Sequence, residues 1–207
     1  MRGMTITGGA LALALAGTGG ALAQACPDSR ADALAGLTVV YDDGEVVHYT
    51  LSEDNILTEL TEATAYDPAW VVRALFGIYE LEIHDLTEDG QIDLPTVERI
   101  DFGIPLTDLP APAPGLRWSG DVTVKYVDEP PFPRTVSVAA DQPGRVSYGG
   151  CSYDSLQVFV RHRDDEEDMV MGFDWLPQLG IAVYRSFADF GEAADIYTPV
   201  SITRRQK

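Results

Sequence analysis

The sequence predicts an all-β protein, an antiparallel meander forming a curved half-barrel or a sandwich, with a short N-terminal helical turn at most. Three observations carry this expectation. From Leu37 onward the dominant hydrophobic period is two. Turn chemistry recurs at short intervals, as in Asp42-Asp43-Gly44-Glu45, Glu88-Asp89-Gly90 and Gln142-Pro143-Gly144. Finally, Asp67-Pro68 offers a helix start, but the residues after it are rich in β-branched side chains (Val71, Val72, Ile78, Ile83) and are interrupted by Gly77.

Taken in order, Ser29–Ala35 has room for one or two helical turns. Leu37–Tyr41 and Val46–Leu51 flank the Asp-Gly turn as a hairpin, and Ile56–Ala63 follows Glu53-Asp54-Asn55. Trp70–His84 reads as a long strand run. Ile92–Phe102 is broken by Pro95, so it reads as an edge strand or two short pieces. Residues 105–115 contain four prolines and make a linker rather than a central strand. Further strands are expected at 117–127, 134–141, 144–151, 155–163, 168–175, 180–187 and 196–203. So many sequential hairpins suit a curved open sheet.

Residues 1–25 read as a secretory signal: Arg2, an uncharged Ala/Leu run, and Ala23-Gln24-Ala25 as a small-x-small cleavage site. The apolar stretch is broken by glycines and is shorter than the roughly 18–20 residues a membrane span needs. The expected mature chain, 26–207, is one β-rich domain with a Pro-rich connection at 105–115, periplasmic or secreted. The whole chain has 33 Asp plus Glu against 14 Lys plus Arg, a formal charge of −19. Arg2 is the only charge in the signal, so the acidity belongs to the folded part. That balance disfavours nucleic acid and anionic lipid surfaces, and it leaves neutral ligands, cations or a basic protein partner. With 45% hydrophobic residues the chain can pack a core.

Cys26 and Cys151 are the only cysteines, and in an oxidising compartment they make one disulfide closing a loop of about 125 residues. That bridge would cross the proline linker, which argues for one continuous domain. The alternative is lipidation of Cys26 directly after the signal. Against it, the leucine stands four places before the cysteine, Gln24 interrupts, and Cys151 would be left unpaired.

Of the candidate sites, Met169, Met171, Phe173 and Trp175 share one face of a strand and suit either an adaptable apolar pocket or ordinary core. Asp85–Thr96 has the Asp, Gly and Ile spacing of a calcium loop but carries Thr96 where a bidentate Glu belongs. Its dull alternative is an acidic hairpin turn. Glu80, Glu82 and His84 alternate on one face, about 7 Å apart, too far for one metal to take all three from a straight strand. The run Asp164–Asp168 reads as a solvated hairpin tip partly compensated by Arg161 and Arg163. Gly149-Gly150 suggests a bulge or a close backbone approach that seats Cys151. No nucleophile elbow, phosphate loop or His-x-x-x-His pair occurs, so neither catalytic nor metal residues are assigned and no cofactor is expected.

With the signal and the Cys pair, the segments Gly149-Gly150-Cys151-Ser152-Tyr153-Asp154 and Asp174-Trp175-Leu176-Pro177-Gln178-Leu179-Gly180 resemble uncharacterised exported proteins of Gram-negative bacteria. The Leu-Pro-x-Leu-Gly turn between strands is also similar to that of periplasmic lipoprotein carriers. That resemblance implies a half-barrel able to hold acyl chains, and it carries over no functional residue. The resulting expectation is a non-catalytic binding or carrier-like protein for an apolar ligand or a protein partner. Its rivals are a metal-dependent or hydrolytic enzyme using carboxylates and one of His48, His84 and His162, and an acidic envelope accessory protein.

Overall fold

The structure is a computed structural model and describes residues 25–205; the expected signal segment, apart from Ala25, lies outside the described residues. A six-residue helix α1 (Arg30–Ala35) leads into thirteen strands. They are β1 (Leu37–Tyr41), β2 (Val46–Leu51), β3 (Ile56–Thr61), β4 (Trp70–Leu75), β5 (Tyr79–Asp85), β6 (Glu98–Asp101), β7 (Arg117–Tyr126), β8 (Phe132–Tyr148), β9 (Cys151–Arg163), β10 (Asp168–Leu176), β11 (Ile181–Asp189), β12 (Asp195–Ile196) and β13 (Pro199–Arg204). All pair antiparallel in one sheet, in sequence order from β12 back to β1, with β13 added beyond β1. The expected all-β meander is what forms, as a single sheet that curls over itself without closing. No helix among the described residues is long and apolar enough to cross a membrane.

Three expectations about the strands need correction. Trp70–His84 is a hairpin, β4 and β5, turning at Phe76-Gly77, where both residues have positive φ. The turn tucks so close to Leu57 and Ala182 that a side chain at Gly77 would meet the Leu57 Cδ2 at 2.8 Å. The pieces 134–141 and 144–151 form one long strand, because Asp141-Gln142 make a bulge between the Ala140–Val158 and Pro143–Leu156 pairs and the ladder resumes at Pro143. The expected close backbone approach at Gly149-Gly150 is present, since a side chain at Gly149 would meet the Val200 carbonyl oxygen at 3.3 Å; the pair forms the two-residue turn of the β8–β9 hairpin, both residues at positive φ, as a type I′ turn requires. Pro95 does end pairing as expected: Leu94–Thr96 is a 3-10 turn and β6 begins after it, but β6 lies inside the sheet between β5 and β7 rather than at an edge.

Curling places the inner faces of β1–β5 opposite β9–β11. One apolar cluster joins Leu75, Ile78 and Tyr79 to Val136, Val138, Val158, Val160 and Trp175. The second joins Leu37, Val39, Tyr49 and Leu51 to the tip of the β8–β9 hairpin, at Tyr148 and Tyr153, and to Leu176, Leu179 and Ile181. The Cys26–Cys151 disulfide fastens that tip to the segment before α1. Arg204 on β13 forks onto Asp32 of α1 and holds the Asp32 carboxyl well below its usual range, so helix, first strand and last strand are tied together.

The two edges of the sheet, β12 and β13, are separated only by Tyr197 and Thr198. Tyr197 donates its N–H to Arg185 on β11, and Thr198 accepts from Asp42 just after β1. The Tyr41 hydroxyl crosses the same seam to the Tyr184 carbonyl. The chain therefore bridges its own seam at one point, and the sheet encloses space behind it.

Candidate functional site

Behind the seam lies a hollow of about 440 Å³ between the two halves of the curled sheet. Its apolar wall comes from Val47 on β2, Val72 on β4, Ile83 on β5, Met169, Met171 and Phe173 on β10, and Phe187 on β11. Tyr41, Tyr184 and Tyr197 stand along the seam side, and Trp70, 38% exposed, stands at the rim.

Of the four residues read from the sequence as a pocket stripe, Met169, Met171 and Phe173 face this hollow. Trp175 does not: the β4–β5 turn blocks that end, and the Trp175 ring meets Phe76 edge-on at 6.2 Å within the core. Strand alternation places all four on one face, but it cannot foresee a turn, remote in sequence, that ends the cavity.

Two bulges set which side chains enter. On β5 the ladder steps from Ala74–Glu80 to Arg73–Glu82, so Leu81 is an extra residue and the phase flips. Glu80 and Ile83 both point inward as a result, while Glu82 turns outward to Arg99 at 3.0 Å. The expected shared face of Glu80, Glu82 and His84 is thereby broken. On β11 the step from Gly172–Ser186 to Phe173–Tyr184 leaves Arg185 extra and brings both Tyr184 and Phe187 to the hollow.

Two carboxylates face the hollow from β3 and β5, Glu59 and Glu80. Sequence reading did not single out Glu59, and it set Glu80 on a face shared with Glu82 and His84. Burial in apolar surroundings, together with the charge of Glu80, pushes Glu59 up to about 8. Burial and the charge of Glu98 push Glu80 up to about 7, against an opposing pull from Arg134. Tyr49 belongs to the same wall; its hydroxyl is fully buried close to Glu59 and Tyr41, and among the described residues it makes no hydrogen bond of normal geometry.

At one end Arg134 on β8, with only 5% of its side chain exposed, donates to Glu98 at 3.1 Å, Asp164 at 2.9 Å and Glu167 at 3.1 Å. Tyr126 donates to the other Glu98 oxygen at 2.7 Å. The acidic run 164–168 is therefore more than a solvated tip. Asp164 and Glu167 clamp a buried guanidinium, and Arg161 takes Asp168 through two bonds of 2.6 Å. Removing one partner from such a buried cluster would strand the remaining charges.

The histidines do not converge. His48 pairs with Glu62 at 2.7 Å on the outside, and His84 lies 3.5 Å from Glu82. His162 is buried 3.7 Å from Glu80, and burial together with Arg134 pushes it down to about 4, so its imidazole is neutral. The calcium-like segment is a hairpin turn: Gly90 has positive φ, and Thr96 Oγ1 accepts from the Asp85 N–H and donates to the Asp93 carbonyl. Among the described residues no group of His, Cys, Asp and Glu is arranged to hold a metal ion.

The fold and hollow define a curled, open antiparallel β-sheet with an internal ligand-sized space. No family model and no curated protein sequence matches the chain. Among solved structures it is similar to the hypothetical lipoprotein YmcC from Escherichia coli (K12), at a TM-score of 0.42 and 15% identity, over 83% of this chain and 84% of that one.

Proposed function

We propose that this protein binds an apolar ligand within the hollow and holds it rather than transforming it, in an oxidising compartment outside the cytoplasm. The observation that carries the reading is the apolar wall of Val47, Val72, Ile83, Met171, Phe173 and Phe187 around about 440 Å³. Ligand sites have this make-up, an apolar lining with a few polar groups placed within it. The two methionines add a surface that adapts to differently shaped ligands. The disulfide supports the compartment, because such bonds persist where thiols are not kept reduced.

A direct test uses the uncharged fluorophore N-phenyl-1-naphthylamine. Saturable uptake with one site per chain is expected. Ala74, buried and lining the hollow, supplies the control: Ala74→Phe fills the space and should abolish uptake while the circular dichroism spectrum stays β-rich. Absence of saturable uptake, or uptake unchanged in a folded Ala74→Phe protein, would sink the reading.

A further inference from the structure

We propose that the ligand of the hollow is a cationic amphiphile, a protonated amine on an apolar body, whose ammonium group is received by Glu59, Glu80 and the Tyr49 hydroxyl. The inference rests on the ligand-binding reading above and adds the chemistry of the head group.

The charge inventory of the wall is lopsided. Five carboxylates line the hollow (Glu45, Glu59, Glu80, Glu98 and Glu167) against one cation, Arg134. Arg134 is already committed to Glu98, Glu167 and Asp164. No cationic side chain among the described residues therefore partners Glu45, Glu59 or Glu80, and His162, the nearest candidate for Glu80, is neutral.

An anionic head such as a fatty carboxylate would meet further negative charge and no free donor cation. A neutral alcohol could donate one hydrogen bond to a carboxylate but would bring no positive charge to offset the pair. An ammonium carries three N–H donors and no acceptor, and the site offers two carboxylates and a hydroxyl oxygen. The charge of Glu80 disfavours ionisation of Glu59, and that of Glu98 disfavours ionisation of Glu80, so a cation received in this part of the wall relieves both.

The second sign is Tyr49, a residue of the same wall. Its hydroxyl is fully buried close to Glu59 and Tyr41, yet among the described residues it makes no hydrogen bond of normal geometry. Buried hydroxyls nearly always have a partner, so one left unsatisfied beside a carboxylate in a cavity wall points to a partner that arrives from outside. The tail then lies along Val72, Ile83, Met171 and Phe173, on the same space.

Octylamine, 1-octanol and octanoate share one tail and differ only in the head, and each can be set to displace N-phenyl-1-naphthylamine at pH 7. Octylamine is expected to displace at a concentration at least tenfold lower than 1-octanol, because only the amine adds a positive charge and three donors, with octanoate weakest. The Glu59→Gln/Glu80→Gln double variant should lose that preference and keep its response to 1-octanol. Tyr49→Phe should weaken octylamine several-fold and leave 1-octanol unchanged, which decides the matter if the double variant does not fold. Equal displacement by octylamine and 1-octanol in the unmodified protein would overturn the head-group assignment and leave apolar binding standing. A preference that survived in the folded double variant would overturn it too. If the fluorophore itself is not taken up, both readings fall.

Discussion

Glu59 and Glu80 are carboxylates placed where water is scarce, and their ionisation opposes folding. In the unfolded chain both titrate near the ordinary glutamate value of about 4.3. In the fold they do so at about 8 and about 7. Between these limits the native state binds more protons than the unfolded state, so stability is fullest at low pH and falls as pH rises through 7 and 8. His162 acts in the opposite sense and lower down: held to about 4, it takes stability away as pH falls from its usual value of 6.5. From pH 6.5 to 8 the carboxylates dominate, and thermal melts should show a falling Tm that flattens in Glu59→Gln/Glu80→Gln. A Tm rising over that interval would contradict the assignment. At this scale the sequence reveals the methionine and phenylalanine stripe, because β10 alternates through it. It sets Glu80 on one face with Glu82 and His84, wrongly, because a one-residue bulge at Leu81 reverses the phase, and bulges leave no mark in a hydrophobic pattern.

Elements were legible wherever turn chemistry is local. The Asp-Gly hairpin between β1 and β2, the break at Pro95 and the strands flanking Leu176-Pro177-Gln178-Leu179-Gly180 all follow from residues within a few positions of one another. Two errors share one cause. Pro143 reads as an end, yet the partner strand β9 tolerates a bulge there and keeps pairing. Gly77 reads only as an interruption of a possible helix, inside a run expected to be one strand, yet it is the tip of the β4–β5 hairpin, pressed against Leu57 and Ala182. In both cases a neighbour distant in sequence decides. The packing at Gly77 yields a prediction: Gly77→Ala combines positive φ with a 2.8 Å approach to Leu57, so it should lower stability by roughly 1–3 kcal/mol in urea unfolding. It should also reduce fluorophore uptake, because this turn closes the inner end of the hollow. A neutral outcome in both measurements would mean that the turn is free to shift.

For the whole molecule, the bridge and the topology act together. Cys26 and Cys151 close a loop of 125 residues, which in the chain-entropy argument is worth about 4–5 kcal/mol. That is a large share of the roughly 5–15 kcal/mol typical of a domain. Cys26→Ser/Cys151→Ser should therefore lower the unfolding free energy in urea by about 4–5 kcal/mol, and with it the midpoint, with an unchanged β spectrum, and the unreduced protein should have an intact mass two hydrogens below the dithiol form. An unchanged midpoint would mean that the hairpin tip is held by Tyr148 and Tyr153 packing alone. Cysteine count and compartment foretold the pairing. The place of β13 beside β1 was not foretold, because no local pattern distinguishes the strand that returns to the start from one that extends the far edge.

That return has a consequence in time. The pairing of Leu37 with Arg204 joins residues from opposite ends of the described chain, whereas every other ladder links strands that are consecutive in sequence. A chain made N-terminus first can zip β1 through β12 as it appears, but β1 keeps one open edge until the last strand arrives. Closure of this long loop is an intrinsically slow event, so completion of the hollow is the final act of folding and not its beginning. Until then β1 is the strand most in need of protection, and what completes the molecule is a single six-residue strand.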